Sequence, residues 1–187
     1  MPATDIVQEL ESKLLPLSSE QNANAAVALL LRLREGNLEV LVVKRVENLA
    51  DPWSGQIGLP GGKREPQDLS LKHNVIRETL EETGINLLDN CRFLGVLPAL
   101  RSKPRPETKI LPFVILLENE PQIRLNKKEL AEYFWIPLSQ IERSRGAAKF
   151  ASFEAPAFTI GETVIWGLTY RIIESFLQVL RSTSRSC

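Results

Sequence analysis

The stretch that decides the fold begins Gly61-Gly62-Lys63-Arg64-Glu65-Pro66-Gln67-Asp68 and ends Arg77-Glu78-Thr79-Leu80-Glu81-Glu82-Thr83-Gly84-Ile85. Between these ends the spacing predicts a helix over 69–83. Leu71, Val75, Ile76, Thr79 and Leu80 form its apolar stripe, and Gly84 stands at the C-cap position. At about 100° per residue, Glu78, Glu81 and Glu82 fall within roughly a quarter of the helix circumference. The expected helix is therefore buried on one side and acidic on the other. Three carboxylates on one face repel each other unless a cation lies between them. An all-oxygen acidic cluster suits a hard divalent ion such as Mg²⁺. Arg77 can offset part of the repulsion by pairing with a glutamate. Upstream, Leu59-Pro60-Gly61-Gly62 permits close backbone approach and exposes amides and carbonyls to a metal or phosphate. A Glu-rich helix face alone is ordinary solvated surface. The glycine loop, the arginine and the three-glutamate register together favour a metal-dependent phosphate site.

Outward from this segment, 5–15 reads as a helix, with Ile6, Val7, Leu10 and Leu14 at helical spacing. Pro16 and the polar run after it read as a linker. Two β-favouring runs, 25–33 and 38–46, flank Arg34-Glu35-Gly36-Asn37 and predict a hairpin. Residues 47–62 read as a long loop with a short strand near 56–59. Strands are expected at 93–99, 109–117 and 134–136, with a helical turn at 138–143. A small hairpin at 158–166 and a closing helix at 168–180 complete the chain. Strands and helices do not alternate strictly, which predicts a mixed α/β (α+β) sandwich with the sheet between helices. The expected organisation is an N-terminal helical extension (1–24), one domain (25–182) and a short tail (183–187).

Composition narrows the function classes. The chain has 187 residues, 43% hydrophobic and 25% charged, which suits one ordinary globular domain and excludes disorder throughout. Two cysteines, Cys91 and Cys187, give no disulfide framework. Lys+Arg and Asp+Glu are 23 each, so the basic excess of a dedicated nucleic-acid binder is missing. Apolar runs fall far short of the ~20 residues a membrane span needs. No leader of basic and apolar regions opens the sequence, and the expected compartment is the cytoplasm.

The segment 62–85 resembles the Nudix box, G-x5-E-x7-R-E-U-x-E-E-x-G-U, where U is a bulky aliphatic residue. Arg77, Glu78, Glu81, Glu82, Gly84 and Ile85 match its second half. Thr79 takes the first U position, Asp68 replaces the first glutamate, and one inserted residue makes the box 24 residues long. The run 61–68 is similar to the coenzyme A pyrophosphatase branch, whose boxes often read G-G-K-R-D-P-x-D. That branch also carries an upstream signature, of which Leu41, Arg45, Gly55, Pro60, Gly61 and Gly62 are kept. Val43, Val46-Glu47, Leu59 and Asp51 depart from it, and Asp51 stands where the branch has a second arginine.

The resemblance implies a Nudix fold and hydrolysis of the diphosphate linkage in a nucleoside diphosphate derivative, with Mg²⁺ or Mn²⁺ as cofactor. It implies Glu78, Glu81 and Glu82 as metal ligands, the Gly61 carbonyl as a further ligand, and Arg77 as the residue orienting the carboxylates. Arg45, Gly62, Lys63 and Arg101 are the candidate substrate contacts. The first substrate guess is CoA or a CoA ester. ADP-ribose, NADH and a nucleoside triphosphate are competitors, and a non-catalytic Nudix-fold sensor is the alternative class. The expected partner is a small nucleotide, with neither nucleic acid nor membrane. The general base is a box glutamate or one of Glu107, Glu129 and Glu132. Arg101, Lys103, Arg105 and Lys109 form a basic loop, read either as a phosphate clamp or as solvated surface. Trp53 is the stacking candidate among the tryptophans, with Trp135 and Trp166 assigned to the core. His73, the lone histidine, has no second His or Cys at ligand spacing and is assigned to surface or packing.

Overall fold

A computed structural model describes residues 3–48, 54–103 and 105–184. The central strand is β1 (Ala25–Arg34), and its two edges explain the architecture. One edge pairs in parallel with β7 (Lys109–Leu117) along nearly its whole length, from Ala25↔Ile110 to Arg32↔Leu117. The other edge is divided. Its last four residues pair with β2 (Asn37–Arg45), and its first three pair with β4 (Gly61–Lys63). The 25–45 hairpin is as expected, turning through Glu35 and Gly36 at φ 50° and 77°.

From the two edges of β1 the sheet continues in two directions. One continues from β2 to β3 (Ile57–Gly58) and β8 (Leu130–Pro137). The other continues through β7 to β5 (Cys91–Val96) and β6 (Leu100–Arg101). Helix α2 (Leu71–Thr83) covers one face over a core of Ala26, Ala28, Leu30, Leu41, Leu111 and Phe113. On the other face lie α1 (Ala3–Lys13), α3 (Leu138–Arg143) and α4 (Gly167–Ser184), over Leu29, Leu31, Val40, Val42, Val114 and Phe158. The mixed sheet between helices is the architecture expected. Leu10 and Leu14 place the N-terminal segment in the second of these cores.

Three differences from the sequence reading have physical causes. The segment Gly61–Lys63 is a strand, because main-chain pairing to β1 needs no side chains. The strand β8 begins at Leu130, where Lys44 pairs across to Glu132, so the charged positions that hid it are a cross-strand pair. A strand β9 (Arg145–Lys149) was not foreseen. It is mostly exposed and lies at the edge of a small sheet with β10 (Glu154–Ile160) and β11 (Thr163–Trp166), so no apolar alternation marks it.

Candidate active site

Helix α2 starts at the cap residue Ser70, whose side chain accepts from the His73 N–H at 3.1 Å. It stops at Gly84 (φ 73°), whose N–H donates to the Leu80 carbonyl. Its buried residues are Leu71, Asn74, Val75, Thr79, Glu82 and Thr83. The expected separation into an apolar side and an acidic side is corrected here. Glu82 lies only about 20° around the helix from Leu71, at the centre of the buried face, and Leu80 lies about 180° from it. Leu80 is accordingly 46% exposed. The buried face is apolar for its first turns and carboxylate-bearing where it meets β4.

Glycine makes that meeting possible. A Cβ on Gly61, at φ 141°, would lie 2.2 Å from the Ala26 carbonyl oxygen. A Cβ on Gly62 would lie 2.6 Å from the Glu78 carboxyl carbon. The Gly61 N–H donates to Glu82 Oε2 at 2.9 Å. The Glu82 carboxyl is pushed up to about 8, by burial first and with the Glu78 and Glu129 carboxylates adding to the rise, while Gly61 and Arg45 oppose it. Glu78 is also raised, by burial first and against the pull of Arg77. A buried carboxyl beside two other carboxylates is a place that a cation would stabilise.

Arg77 ties the cluster together. Its guanidinium is 2.9 Å from Asp68 Oδ2, 3.0 Å from Glu78 Oε1 and 3.0 Å from Glu81 Oε2. Asp68 is fully buried and receives Arg77 through two nitrogens, the Glu65 N–H and the Asn74 amide. The Arg77 contact holds its carboxyl far below the usual carboxylate range. The residue at the first-glutamate position of the box is therefore an anchor for the arginine. His73 Nδ1 lies 3.2 Å from the same carboxylate, with its side chain half exposed at the surface.

The three box glutamates are neighbours without forming a ready-made cage: among the described residues, no three His, Cys, Asp or Glu side chains are gathered closely enough. Glu82 is turned inward to Gly61, whereas Glu81 is turned outward to Arg77 with 56% of its side chain exposed. The donors are all hard oxygens, the chemistry that Mg²⁺ and Mn²⁺ take.

Of Glu107, Glu129 and Glu132, Glu129 is the one whose charge raises the Glu82 carboxyl. The segment before β8 closes the end of α2: Arg124 and Asn126 donate backbone N–H groups to the Thr83 and Glu82 carbonyls at 2.8 Å each. That brings Glu129 near Glu82. Glu132 pairs with Lys44 at 3.6 Å, and Glu107 lies in the basic loop, where its carbonyl accepts from Asn24.

The candidate substrate contacts fall in two places. Arg45, on β2, lies close enough for its charge to lower the Glu82 carboxyl. Lys63 and Arg101 lie at one end of the sheet, linked by backbone hydrogen bonds. Arg101 pairs with Lys109, Asn24 donates to the Lys109 carbonyl, and Arg64 donates to the Asn24 carbonyl. Three strand spacings, about 14 Å, cover that row. The Arg101 guanidinium donates to the Pro106 carbonyl and is exposed. Trp53 and Asp51 lie outside the described residues. Trp135 packs at the core with Arg32 over its ring, whereas Trp166 sits in a surface cluster of aromatics.

The NUDIX domain family matches residues 22–156, which include both β4 and the whole of α2. The chain belongs to the Nudix hydrolase family. This Nudix hydrolase is 36% identical over 141 residues to the peroxisomal coenzyme A diphosphatase ndx-8 of Caenorhabditis elegans, covering 74% of this chain and 58% of the nematode protein. The matched stretch is thus less than two thirds of that relative's length. It is 30% identical over 166 residues to the human mitochondrial coenzyme A diphosphatase NUDT8, covering 84% of this chain and 70% of the human protein. The fold also matches that of an Ap4A hydrolase of C. elegans solved as a binary complex. There the TM-score is 0.54 at 17% identity, over 86% of this chain and 95% of the other. Among the described residues, no helix is long and apolar enough to cross a membrane.

Proposed function

We propose that this Nudix hydrolase is a coenzyme A diphosphatase, cleaving the diphosphate of CoA or a CoA ester. The observation that carries the reading is the seating of Glu78 and Glu82 against Gly61-Gly62, with Arg77 bridging Asp68, Glu78 and Glu81. The kept residues of the branch signature and the likeness to two coenzyme A diphosphatases support CoA as the substrate.

A divalent ion, Mg²⁺ or Mn²⁺, supplies charge neutralisation at the diphosphate oxygens when bound. Glu78, Glu81, Glu82 and the Gly61 carbonyl would hold it. Arg77 keeps the cluster oriented from its anchor on Asp68. Glu129 joins the box glutamates as a candidate to take a proton from the attacking water, since it faces the cluster. Arg45, Gly62, Lys63 and Arg101 would receive substrate phosphates. A sensor that binds without turnover would not need this carboxylate set.

The test is a panel of CoA, ADP-ribose, NADH and nucleoside triphosphates with Mg²⁺ or Mn²⁺, the products separated by chromatography. Release of 3′-phospho-AMP from CoA is expected. Strong turnover of another compound with CoA intact would refute the substrate, and no turnover of any would refute the enzyme. The relatives are named for the peroxisome and the mitochondrion, whereas the sequence reading gives the cytoplasm. Imaging of the tagged chain decides the compartment.

A further inference from the structure

Helix α2 meets β4 along a stripe of every fourth residue, and the first member of that stripe is not a carboxylate. Asn74, Glu78 and Glu82 are successive i, i+4 neighbours, so they share one side of the helix. Each has its own partner in the strand. The Asn74 side-chain amide donates to the Lys63 carbonyl at 3.0 Å. The Glu78 carboxylate occupies the space that a Cβ on Gly62 would need. Glu82 Oε2 accepts from the Gly61 N–H.

Asn74 is fully buried, and its amide nitrogen makes a second bond, to Asp68 Oδ2 at 3.3 Å. Both partners are acceptors, so only the NH₂ end of the amide can face them. The Asn74 carbonyl oxygen is left buried without a hydrogen-bond partner among the described residues. A half-satisfied buried amide costs stability that an apolar side chain would not, so its presence calls for a reason beyond folding. The two partners supply one. Lys63 is two residues from Gly61 in β4, and Asp68 is the anchor of Arg77. One amide therefore joins the strand that carries the glycines to the carboxylate that holds the arginine.

This contact differs in kind from the other two. Glu78 and Glu82 are the groups that would turn to a divalent ion, so their contacts with β4 change when it binds. The Asn74 bonds lie outside that ligand set and carry no charge of their own, so they persist in both states. We propose that Asn74 is a positioning residue for the divalent ion. Its amide fixes the separation of β4 from α2, and with it the place of the Gly61 carbonyl relative to the box glutamates. This rests on the metal reading above and is independent of which diphosphate is cleaved.

The test reads Mn²⁺ binding to the whole protein by electron paramagnetic resonance, without substrate. Asn74→Leu keeps roughly the volume of the side chain and removes the donor. Its Mn²⁺ dissociation constant is expected to rise about tenfold, as when a group that orients ligands is lost. Asn74→Ser retains a donor and should give a smaller rise. Val75→Ala is the control, because Val75 is buried on the same helix against the sheet core. Its melting temperature should fall, with the Mn²⁺ constant within about twofold of the wild type. A folded Asn74→Leu with the wild-type Mn²⁺ constant would overturn the proposal. An equal rise in Val75→Ala would also overturn it, since helix stability would then account for the effect. If both Asn74 variants fail to fold, the amide is a fastening of the core and the proposal falls. Absence of Mn²⁺ binding in the wild type would sink the metal reading and this inference with it. Wild-type binding that Asn74→Leu leaves unchanged sinks the role of Asn74 alone.

Discussion

Two arginines hold carboxylates on two sides of this molecule, and their accounts differ. Arg32, buried near the end of β1, pairs with Glu39 at 2.6 Å and with Glu120, and lies over the Trp135 ring at 4.3 Å. Glu120 is largely exposed, so water shares its charge. Arg77 faces Asp68, Glu78 and Glu81, and beside them Glu82 is buried within the influence of Glu129. The first group is close to balanced with the residues present. The second has a surplus of negative charge in a place with little water. Folding alone does not reward such a surplus. It makes sense as half of a site whose other half is a cation and an anionic substrate.

The largest expected effect follows from that surplus. Glu82→Gln keeps the Gly61 hydrogen bond and removes the carboxyl that a bound cation would hold ionised. Mg²⁺-dependent turnover should fall by at least about a hundredfold, or about 2.7 kcal/mol of transition-state stabilisation. Thermal stability should hold or rise, since a buried carboxyl under repulsion is replaced by a neutral amide. Steady-state kinetics and a melting curve on the same preparation check both. A normal rate in the folded variant would remove Glu82 from the site.

Next come the arginines themselves. Arg77→Ala leaves Asp68 buried without its main partner, and losing one member of a buried pair costs about 3–5 kcal/mol. Activity per folded molecule should fall with it, because Glu78 and Glu81 lose their common anchor. Arg32→Ala should also destabilise, by about 2 kcal/mol, since its partners retain some access to water. Its kcat/KM should stay within about twofold. Denaturant titration and kinetics on both variants separate the cases. If Arg32→Ala impaired catalysis as Arg77→Ala does, the contrast between a structural and a functional arginine would fail.

Most of the second region was legible in the sequence because its chemistry is written in short spacing. Arg77, Glu78, Glu81 and Glu82 lie on one helix, so period alone places them together. The inward direction of Glu82 was not legible. It depends on where β4 lies, and β4 is held by main-chain bonds to β1 that leave no mark in side-chain pattern. Asp68 was read as a departure from the box; its use as the arginine's anchor needs the turn that folds 65–68 back on α2. Glu129 stood among three equivalent candidates until the loop closing α2 brought it to Glu82. The assignment of Trp166 to the core followed its apolar neighbours, but the ring packs on Phe150 and Phe153 in the surface aromatic cluster. By contrast the Arg32 group joins residues 32, 39 and 120, a distance no local pattern spans.

A smaller effect is expected at the basic row. Arg101 and Lys103 are exposed, so replacing both with Ala should leave stability within about 0.5 kcal/mol. If the row receives substrate phosphate, the KM for CoA should rise about three- to tenfold, and the rise should shrink as salt is added. An unchanged KM would return this loop to solvated surface.

The smallest effect concerns a polar group near the site that serves neither arginine. Thr79 is fully buried on α2, and its hydroxyl has no hydrogen-bond partner among the described residues. The box takes a bulky aliphatic residue at this position. Thr79→Val keeps the shape of the side chain and removes the unpaired hydroxyl, so stability should rise by about 1 kcal/mol. Thr79 follows Glu78 and lies one turn before Glu82, but its hydroxyl shares none of the hydrogen bonds that Arg77 makes to the carboxylates, so kcat should be unchanged. A gain in stability with full activity would confine the functional polarity of this helix to its carboxylates, Asn74 and Arg77. A loss of activity would mean that the hydroxyl belongs to the site, and the surplus on this side of the molecule would then be more than charge.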